Sequence, residues 1–214
     1  MRLYDYAASA NCYKPRLLLA QLDLSYERVP IDIFGGDTLT DEFAAINPAR
    51  STPVLETDDG TYLQESNAIL WYLAEGTDFL PSDSFDRAHV LKWLILEQTE
   101  VMYGIGGLRF RLLTGRWTPE RPEAVQRREL ARGALAMLEQ HLADRTFVVA
   151  ERYTIADISL YGYTHTAPDA GLNLDEFPAV DAWLRRVEQT PRFTNDLQPY
   201  PANAVPGAGS SIYD

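Results

Sequence analysis

The spacing of apolar residues changes partway along the chain. From Met1 to about Leu73, short apolar runs alternate with helical patterns in the order strand, helix, strand, short irregular or helical piece, strand, strand, helix. The last two strands, TPVLET and TYLQ, are separated by Asp58-Asp59-Gly60. An Asp-Gly turn between two apolar runs is typical of a β-hairpin. This part of the chain is therefore predicted to form a small mixed sheet with helices.

Strand signals stop after the turn-rich stretch GTDFLPSDS. Four helices are predicted beyond it: Asp86 to about Leu113, Pro122 to Leu142, Thr154 to about Thr166, and Val180 to Glu188. The first of them contains Gly104, Gly106 and Gly107, and because an internal glycine costs up to about 1 kcal/mol relative to alanine, they indicate a packing or ligand requirement. The final NDLQPYPANAVPGAGSSIYD has no period and predicts an extended or mobile tail.

Composition narrows the class of partner. The chain of 214 residues is 46% hydrophobic and 23% charged, with a net charge of -12 that disfavours nucleic acid and anionic membrane as partners. No apolar run reaches the roughly 18 residues of a membrane span, and MRLYDY does not resemble a signal peptide, so we expect a cytoplasmic protein. The single cysteine and three scattered histidines predict neither a disulfide nor a metal site.

The first strand-to-helix junction carries Ser9-Ala10-Asn11-Cys12. This stretch keeps the spacing of the C-x-x-C redox motif but has serine in place of the first cysteine. A serine hydroxyl can donate a hydrogen bond to the sulfur of a bound thiol and lower its pKa, and the Asn11 amide can also donate. Two alternatives stay open: Ser9 is a simple helix cap, or Cys12, more typically a small apolar core residue, is the nucleophile.

Two further motifs suit ligand binding. Thr52-Pro53 heads the strand VLE, where proline is tolerated because a strand start needs no donor there. Glu65-Ser66 precedes the apolar pattern of the third helix, and a helix N-terminus with a serine favours a carboxylate while the glutamate can take an ammonium. The pair could thus bind an α-amino acid terminus. The structural alternatives are an ordinary edge-strand proline and plain helix capping.

Together these stretches resemble the cytosolic glutathione S-transferase superfamily. SANCYKPR, NPARSTPVLE, LQESNAILWYLAE and YTIADISLYG occur in the order expected for that family, with a bacterial-type, theta- or nu-like serine/asparagine turn. The resemblance implies an α/β plus all-α fold: a thioredoxin-like glutathione-binding domain over residues 1–76 and a helical domain over residues 86–195. Residues 196–214 would be the extended tail. It also implies a homodimer.

The resemblance implies roles for individual residues. Ser9 and Asn11 would be catalytic. The bond before Pro53 would be cis, with the Thr52 backbone pairing with the cysteinyl backbone of glutathione and Glu65-Ser66 holding its γ-glutamyl end. Arg50, with Lys14 and Arg16, would supply positive charge, although relatives often have glycine at the position of Arg50. The electrophile site would draw on Met102, Tyr103, Arg109 and Phe110, with Arg109 or Arg111 favouring acidic electrophiles.

The function implied is a glutathione transferase in which a glutathione thiolate attacks a small hydrophobic or acidic electrophile, with glutathione as substrate and no metal. Three alternatives remain: a nu-like glutathione-dependent disulfide or peroxide reductase, a zeta-like isomerase, and a non-catalytic binding or scaffold protein. Thr154-Ile155-Ala156-Asp157 has the spacing of a capping box and is assigned a folding role only.

Overall fold

The computed structural model describes residues 1–213, which form two compact units. One unit comprises Met1–Leu73 and the C-terminal segment from Thr194 onward, and the other comprises Ala74–Phe193. Asp214, the last residue of the predicted tail, lies outside the described residues. The functional division at residues 1–76 and 86–195 stays a prediction.

The first unit is built on a four-stranded mixed sheet. Its elements are β1 (Arg2–Asp5), α1 (Ala10–Gln21), β2 (Glu27–Pro30), a 3-10 turn (Asp37–Leu39), α2 (Asp41–Ile46), β3 (Val54–Glu56), β4 (Tyr62–Gln64) and α3 (Ser66–Ala74). The strand order is β2-β1-β3-β4; β1 is parallel to β2 and antiparallel to β3, and β3 is antiparallel to β4. This arrangement confirms the predicted thioredoxin-like fold.

The β3–β4 hairpin forms where the Asp-Gly turn predicted it. Gly60 has φ +80°, a conformation that glycine adopts without a steric penalty. The Thr57 amide donates to the Thr61 carbonyl at 2.9 Å and closes the turn. Because the hairpin fixes the register of β3, Leu55 pairs with Leu3 of β1, and both side chains are fully buried in the sheet core.

The second unit is helical. It contains α4 (Ser84–Leu96), a π-helical segment (Glu97–Gly106), α5 (Gly107–Leu113), α6 (Pro122–Leu142), α7 (Ile155–Thr164), 3-10 turns at Ala167–Ala170 and Leu174–Glu176, and α8 (Pro178–Glu188). The structure thus confirms the predicted helical domain. The prediction of one continuous α-helix over Asp86–Leu113 is wrong, because Glu97–Gly106 is π-helical. None of the helices described over residues 1–213 has the length and apolar character needed to cross a bilayer.

Close packing explains two glycines of the π-helical segment. A Cβ on Gly104 would stand 3.0 Å from the Cα of Ala131 on α6, and one on Gly106 would stand 2.4 Å from the ring of Tyr163 on α7. Both positions therefore exclude larger side chains. Of the two reasons that the sequence left open, the structure supports packing at these glycines.

The predicted capping box is present at the start of α7. The Thr154 hydroxyl accepts the Ala156 amide at 3.2 Å, and the Asp157 carboxylate accepts the Thr154 amide at 2.9 Å. Asp157 is fully buried and also accepts the Val148 amide at 3.1 Å and the Trp183 indole N–H at 2.9 Å. Burial is the main influence on this carboxyl and raises its pKa to about 6. The Asp157 carboxylate thus links the start of α7 to Val148 and to Trp183 on α8.

Candidate functional site

Ser9 lies at the N-terminal end of α1, directly after the loop that leaves β1. Its amide donates to the Tyr6 carbonyl at 3.0 Å, and its hydroxyl oxygen accepts the Cys12 amide at 3.3 Å. Ser9 is partly exposed, with extended backbone dihedrals typical of an N-cap. The hydroxyl is therefore fixed at the positive end of a helix dipole, which favours an anion such as a thiolate.

Cys12 faces the core. It is fully buried and its sulfur accepts the Tyr6 amide at 3.3 Å. Burial raises the pKa of the Cys12 thiol to about 11, against weaker opposing hydrogen bonds from Thr52, Tyr6 and Ser9. A thiol with that pKa stays protonated at neutral pH, so this environment favours a core residue over a nucleophile.

Asn11 joins α1 to the start of α3. Its side-chain oxygen accepts a hydrogen bond from the Lys14 ammonium at 3.0 Å and another from the Ser66 hydroxyl at 3.2 Å. Because both partners are donors, they fix the orientation of the side chain and turn its NH₂ group away from them. The Asn11 side chain is thus held on the first turn of α1, with its NH₂ group directed away from Lys14 and Ser66. The sequence did not predict the contact with Ser66.

Thr52 and Pro53 lie on the same side of the unit as the Ser9 turn. The Thr52-Pro53 bond is cis, which confirms that part of the expectation. The Thr52 side chain is close enough to the Cys12 thiol to lower its pKa slightly, which places Thr52 next to the first turn of α1. Val54 follows immediately and begins β3, so the sheet holds the position of this loop.

Glu65 and Ser66 form the N-terminal end of α3. Glu65 is exposed with φ +70°, and its carbonyl accepts the Ile69 amide at 2.9 Å, whereas Ser66 is buried and is the first residue of the helix. The first amides of a helix have no intrahelical acceptor, so this end can receive a carboxylate. Glu65 beside it offers a negative group to an ammonium.

The predicted cations are engaged by protein groups. Arg50 donates to the carbonyls of Thr38 and Thr40, each at 2.9 Å, and takes φ +53°, a conformation that favours glycine. Lys14 is fully buried against Asn11, and Arg16 is buried with carboxylates. The Arg50 guanidinium thus ties its own loop to the backbone around Thr38 and Thr40, and its role as a cation for glutathione stays a prediction.

The four candidates for the electrophile site lie in the helical unit. Met102, in the π-helical segment, is half-buried, and Tyr103 there is half-exposed beneath the Arg127 guanidinium, 4.0 Å from the ring centroid. Phe110 lies on α5, and the guanidinium of Arg116, which follows that helix, lies 4.9 Å from the centroid of its ring.

Arg109 and Arg111 both contact other groups of the protein. It is buried, and its Nε donates to Asp169 at 2.9 Å, while Arg111 donates to the Gly107 carbonyl at 2.8 Å and lies over the Trp117 ring. The preference of Arg109 or Arg111 for an acidic electrophile stays a prediction, although both guanidinium groups have internal partners. Among residues 1–213, no three His, Cys, Asp or Glu side chains are grouped to hold a metal ion.

Comparison with known proteins covers both units. The glutathione S-transferase N-terminal domain family matches residues 3–78, and the corresponding C-terminal domain family matches residues 88–191. The crystal structure of a glutathione S-transferase from Pseudomonas fluorescens is 42% identical with a TM-score of 0.89, over 92% of this chain and 98% of that one.

Two curated relatives cover most of the chain. Glutathione S-transferase 2 of Schizosaccharomyces pombe is 30% identical over 88% of this chain and 91% of its own length. The disulfide-bond oxidoreductase YfcG of Escherichia coli is 29% identical over 87% of this chain and 89% of its own length.

Proposed function

The chain belongs to the glutathione S-transferase family, and on that premise we propose that it is a glutathione transferase that holds the thiol of bound glutathione as a thiolate. The convergence of Ser9, Asn11, Thr52 and Ser66 within the first unit supports this proposal. The Ser66 hydroxyl contacts Asn11, the Ser9 hydroxyl accepts the Cys12 amide, and the Thr52 side chain lies near the Cys12 thiol. A single bound tripeptide can therefore contact the Ser9 turn, the Thr52 loop and the start of α3.

Glutathione would bind through its backbone and its γ-glutamyl end. The Thr52 backbone would pair with the cysteinyl backbone. The first amides of α3 would hold the γ-glutamyl carboxylate, and Glu65 would take the ammonium. The Ser66 hydroxyl would turn from Asn11 to the carboxylate, and the Lys14 ammonium would still hold the Asn11 oxygen. This pose sets the cysteinyl sulfur at the Ser9 turn. The expected cation role of Arg50 is not part of this proposal, because its guanidinium is engaged by Thr38 and Thr40.

The Ser9 hydroxyl would donate to the glutathione sulfur, and the Asn11 amide would be a second donor. The thiol sulfur of Cys12 is a weak acceptor, so it competes poorly with a thiolate for the Ser9 proton. A thiol of pKa about 8.5 is about 3% ionised at pH 7, and lowering this pKa by about two units makes it about three-quarters ionised. That shift corresponds to about 2.7 kcal/mol. A hydrogen bond to a charged group supplies about 1.5–3 kcal/mol, so one bond from Ser9 accounts for most of it.

The thiolate would then form a carbon–sulfur bond to an electrophilic carbon. With an aryl halide the carbon–halogen bond breaks and halide leaves, and with an epoxide the carbon–oxygen bond breaks and the oxygen takes a proton from water. Because Arg109 and Arg111 have internal partners, we propose a small hydrophobic electrophile rather than an acidic one. Met102, Tyr103 and Phe110 stay proposals as apolar contacts. Held beside the thiolate, such an electrophile would react as if in an intramolecular step.

A glutathione-dependent disulfide reductase is the second candidate. The held Asn11 amide and the 29% identity to YfcG favour it. In that reaction the glutathione thiolate attacks one sulfur of a disulfide, the other sulfur leaves as a thiol, and a second glutathione resolves the mixed disulfide to yield oxidised glutathione. Cys12 would take no part, because it is buried with a raised pKa.

A parallel activity assay separates the candidates. Purified protein with glutathione is given either a panel of small apolar aryl halides and epoxides or a small-molecule disulfide. Conjugation supports the transferase. Disulfide reduction with little conjugation supports the reductase, and glutathione binding with neither activity would contradict both in favour of a binding protein.

We also propose a homodimer. On α4, Phe85 is 71% exposed, Leu91 49% and Ile95 55%, which is a large apolar exposure for one helix. Covering these side chains with a second copy would remove them from water. Sedimentation at twice the mass of one 24.1 kDa chain is the expected result, and a monomer at micromolar concentration would contradict it.

A further inference from the structure

The C-terminal segment contacts the loop that carries Ser9. The Gln198 amide donates to the Ala7 carbonyl at 3.1 Å, and the Tyr13 hydroxyl donates to the Thr194 carbonyl at 2.8 Å. Ala7 precedes Ser9 by two residues, and Tyr13 follows it by four along α1. The segment is thus bonded to the backbone on one side of Ser9 and to a side chain on the other.

A partly buried ion network adds to these contacts: Arg16 and Asp5 are buried, whereas Arg28 and Asp196 are partly exposed. The Arg16 guanidinium, 2% exposed, donates to Asp5 at 2.5 Å and to Asp196 at 2.9 Å, and it reaches the Ala7 carbonyl at 3.4 Å. Arg28 pairs with Asp5 and lies 3.6 Å from Asp196. The positive charges of Arg16 and Arg28 equal in number the negative charges of the two carboxylates. Removing one carboxylate would leave a buried guanidinium undercompensated, which is costly inside a protein.

We propose that residues 194–198 clamp the Ser9 turn, with Arg16, Asp196 and the Gln198 amide as its positioning groups. The Ala7 carbonyl is the point of action, because it receives both the Gln198 amide and Arg16. The clamp restricts the loop from Tyr6 to Ser9, and so fixes where the Ser9 hydroxyl points. This catalytic purpose rests on the proposed function, since a hydrogen bond to a thiolate loses strength steeply when it is misdirected.

Two pairs of variants isolate the clamp. Gln198→Pro removes the amide donor, whereas Gln198→Ala keeps it. Asp196→Asn weakens the contact with Arg16, whereas Asn203→Ala breaks a contact made further along the tail, the 2.8 Å hydrogen bond from Asn203 to Asp32. If Gln198→Pro does not fold, as judged by its thermal unfolding, Asp196→Asn carries the test.

The first readout is the thiol of bound glutathione. We expect Gln198→Pro and Asp196→Asn to raise its pKa by about 0.5–1 unit. The kcat at pH 6.5 would then fall about two- to tenfold, because the ionised fraction falls by up to tenfold for each unit by which the thiol pKa rises. The KM for glutathione would change less than about twofold, which a general loss of structure would not produce. Gln198→Ala and Asn203→Ala should keep the wild-type pKa.

The second readout needs no glutathione. Cys12 is the single cysteine of the chain and is buried under the same turn, with its sulfur bonded to the Tyr6 amide. A loosened turn should let a small thiol reagent label Cys12 about tenfold faster, which corresponds to about 1.4 kcal/mol of easier opening.

The two readouts can fail separately. Faster labelling in a protein that does not ionise glutathione supports the clamp and contradicts the proposed function. Equal labelling rates and equal thiol pKa values in all four variants would overturn the clamp.

Discussion

Replacing Ser9 tests both roles that the structure gives its hydroxyl. Ser9→Ala removes the proposed donor to the glutathione sulfur and also the acceptor of the Cys12 amide. Loss of an N-cap costs about 0.5–2 kcal/mol of stability, and the 3.3 Å contact suggests the low end of that range. Loss of a hydrogen bond to a thiolate costs about 1.5–3 kcal/mol of thiol activation, so the pKa of bound glutathione should rise by about one to two units.

The pH dependence of kcat/KM for the electrophile, measured with saturating glutathione, separates the loss of thiol activation from the loss of the helix cap. In the wild type the thiol is already ionised near pH 7, whereas in Ser9→Ala it ionises near its free value of about 8.5. The loss in kcat/KM should therefore be about 10- to 50-fold at pH 6.5 and should shrink towards pH 9.5, where both thiols are ionised. Ser9→Thr keeps the hydroxyl and should retain activation, while Ser9→Gly nearly preserves the cap but should match Ser9→Ala in rate. A loss that is equal at every pH would refute thiol activation by Ser9.

Three further predictions concern the surroundings of the site and the helical unit. Cys12→Ala should keep kcat/KM within about threefold while losing about 1 kcal/mol of stability, because the thiol is a buried packing group; a drop of more than a hundredfold would make it a nucleophile. Burial raises the pKa of Asp157 to about 6, compared with 3.8 in the unfolded chain. Asp157 should therefore contribute its full stabilisation below about pH 4, and this contribution should be lost as the pH rises through 6. The difference in unfolding free energy between wild type and Asp157→Asn should show that trend, and a difference independent of pH would contradict it. Gly106→Ala should destabilise the protein by about 1–3 kcal/mol, because its Cβ meets the Tyr163 ring. Gly133→Ala on α6 has open space around it and should stabilise the protein by up to about 1 kcal/mol, measured for both variants by chemical denaturation.

Features set by local chemistry could be predicted from the sequence. The Asp-Gly hairpin, the capping box and the limits of α6 at Pro122 and Leu142 all follow from residues close together in the chain. Ser9 as the cap of α1 belongs to the same class. In each case the residues that specify the feature lie within about one helical turn or one hairpin of it, so the feature depends little on tertiary contacts.

Features set by tertiary contact were missed. The sequence did not predict the π-helical segment, and the spacing of apolar residues carries no record of the close approach of Gly104 to Ala131. Arg16 was expected to offer charge to a ligand, but it is buried between Asp5 and Asp196, which are far from each other in sequence. The described part of the tail has no periodic pattern, and its contacts include the pairing of Asp196 with Arg16 and Arg28 and a β-bridge between Ser210 and Gly35.

The central claim is that the first unit lowers the pKa of the glutathione thiol through Ser9. The most direct measurement is a pH titration of the thiolate absorbance of glutathione bound to the wild type and to Ser9→Ala. We predict an apparent pKa about one to two units below the free value of about 8.5 in the wild type and a return towards that value in the variant. An unshifted pKa in the wild type would contradict the account, and a shift that survives Ser9→Ala but disappears in Asn11→Ala would transfer the role to Asn11.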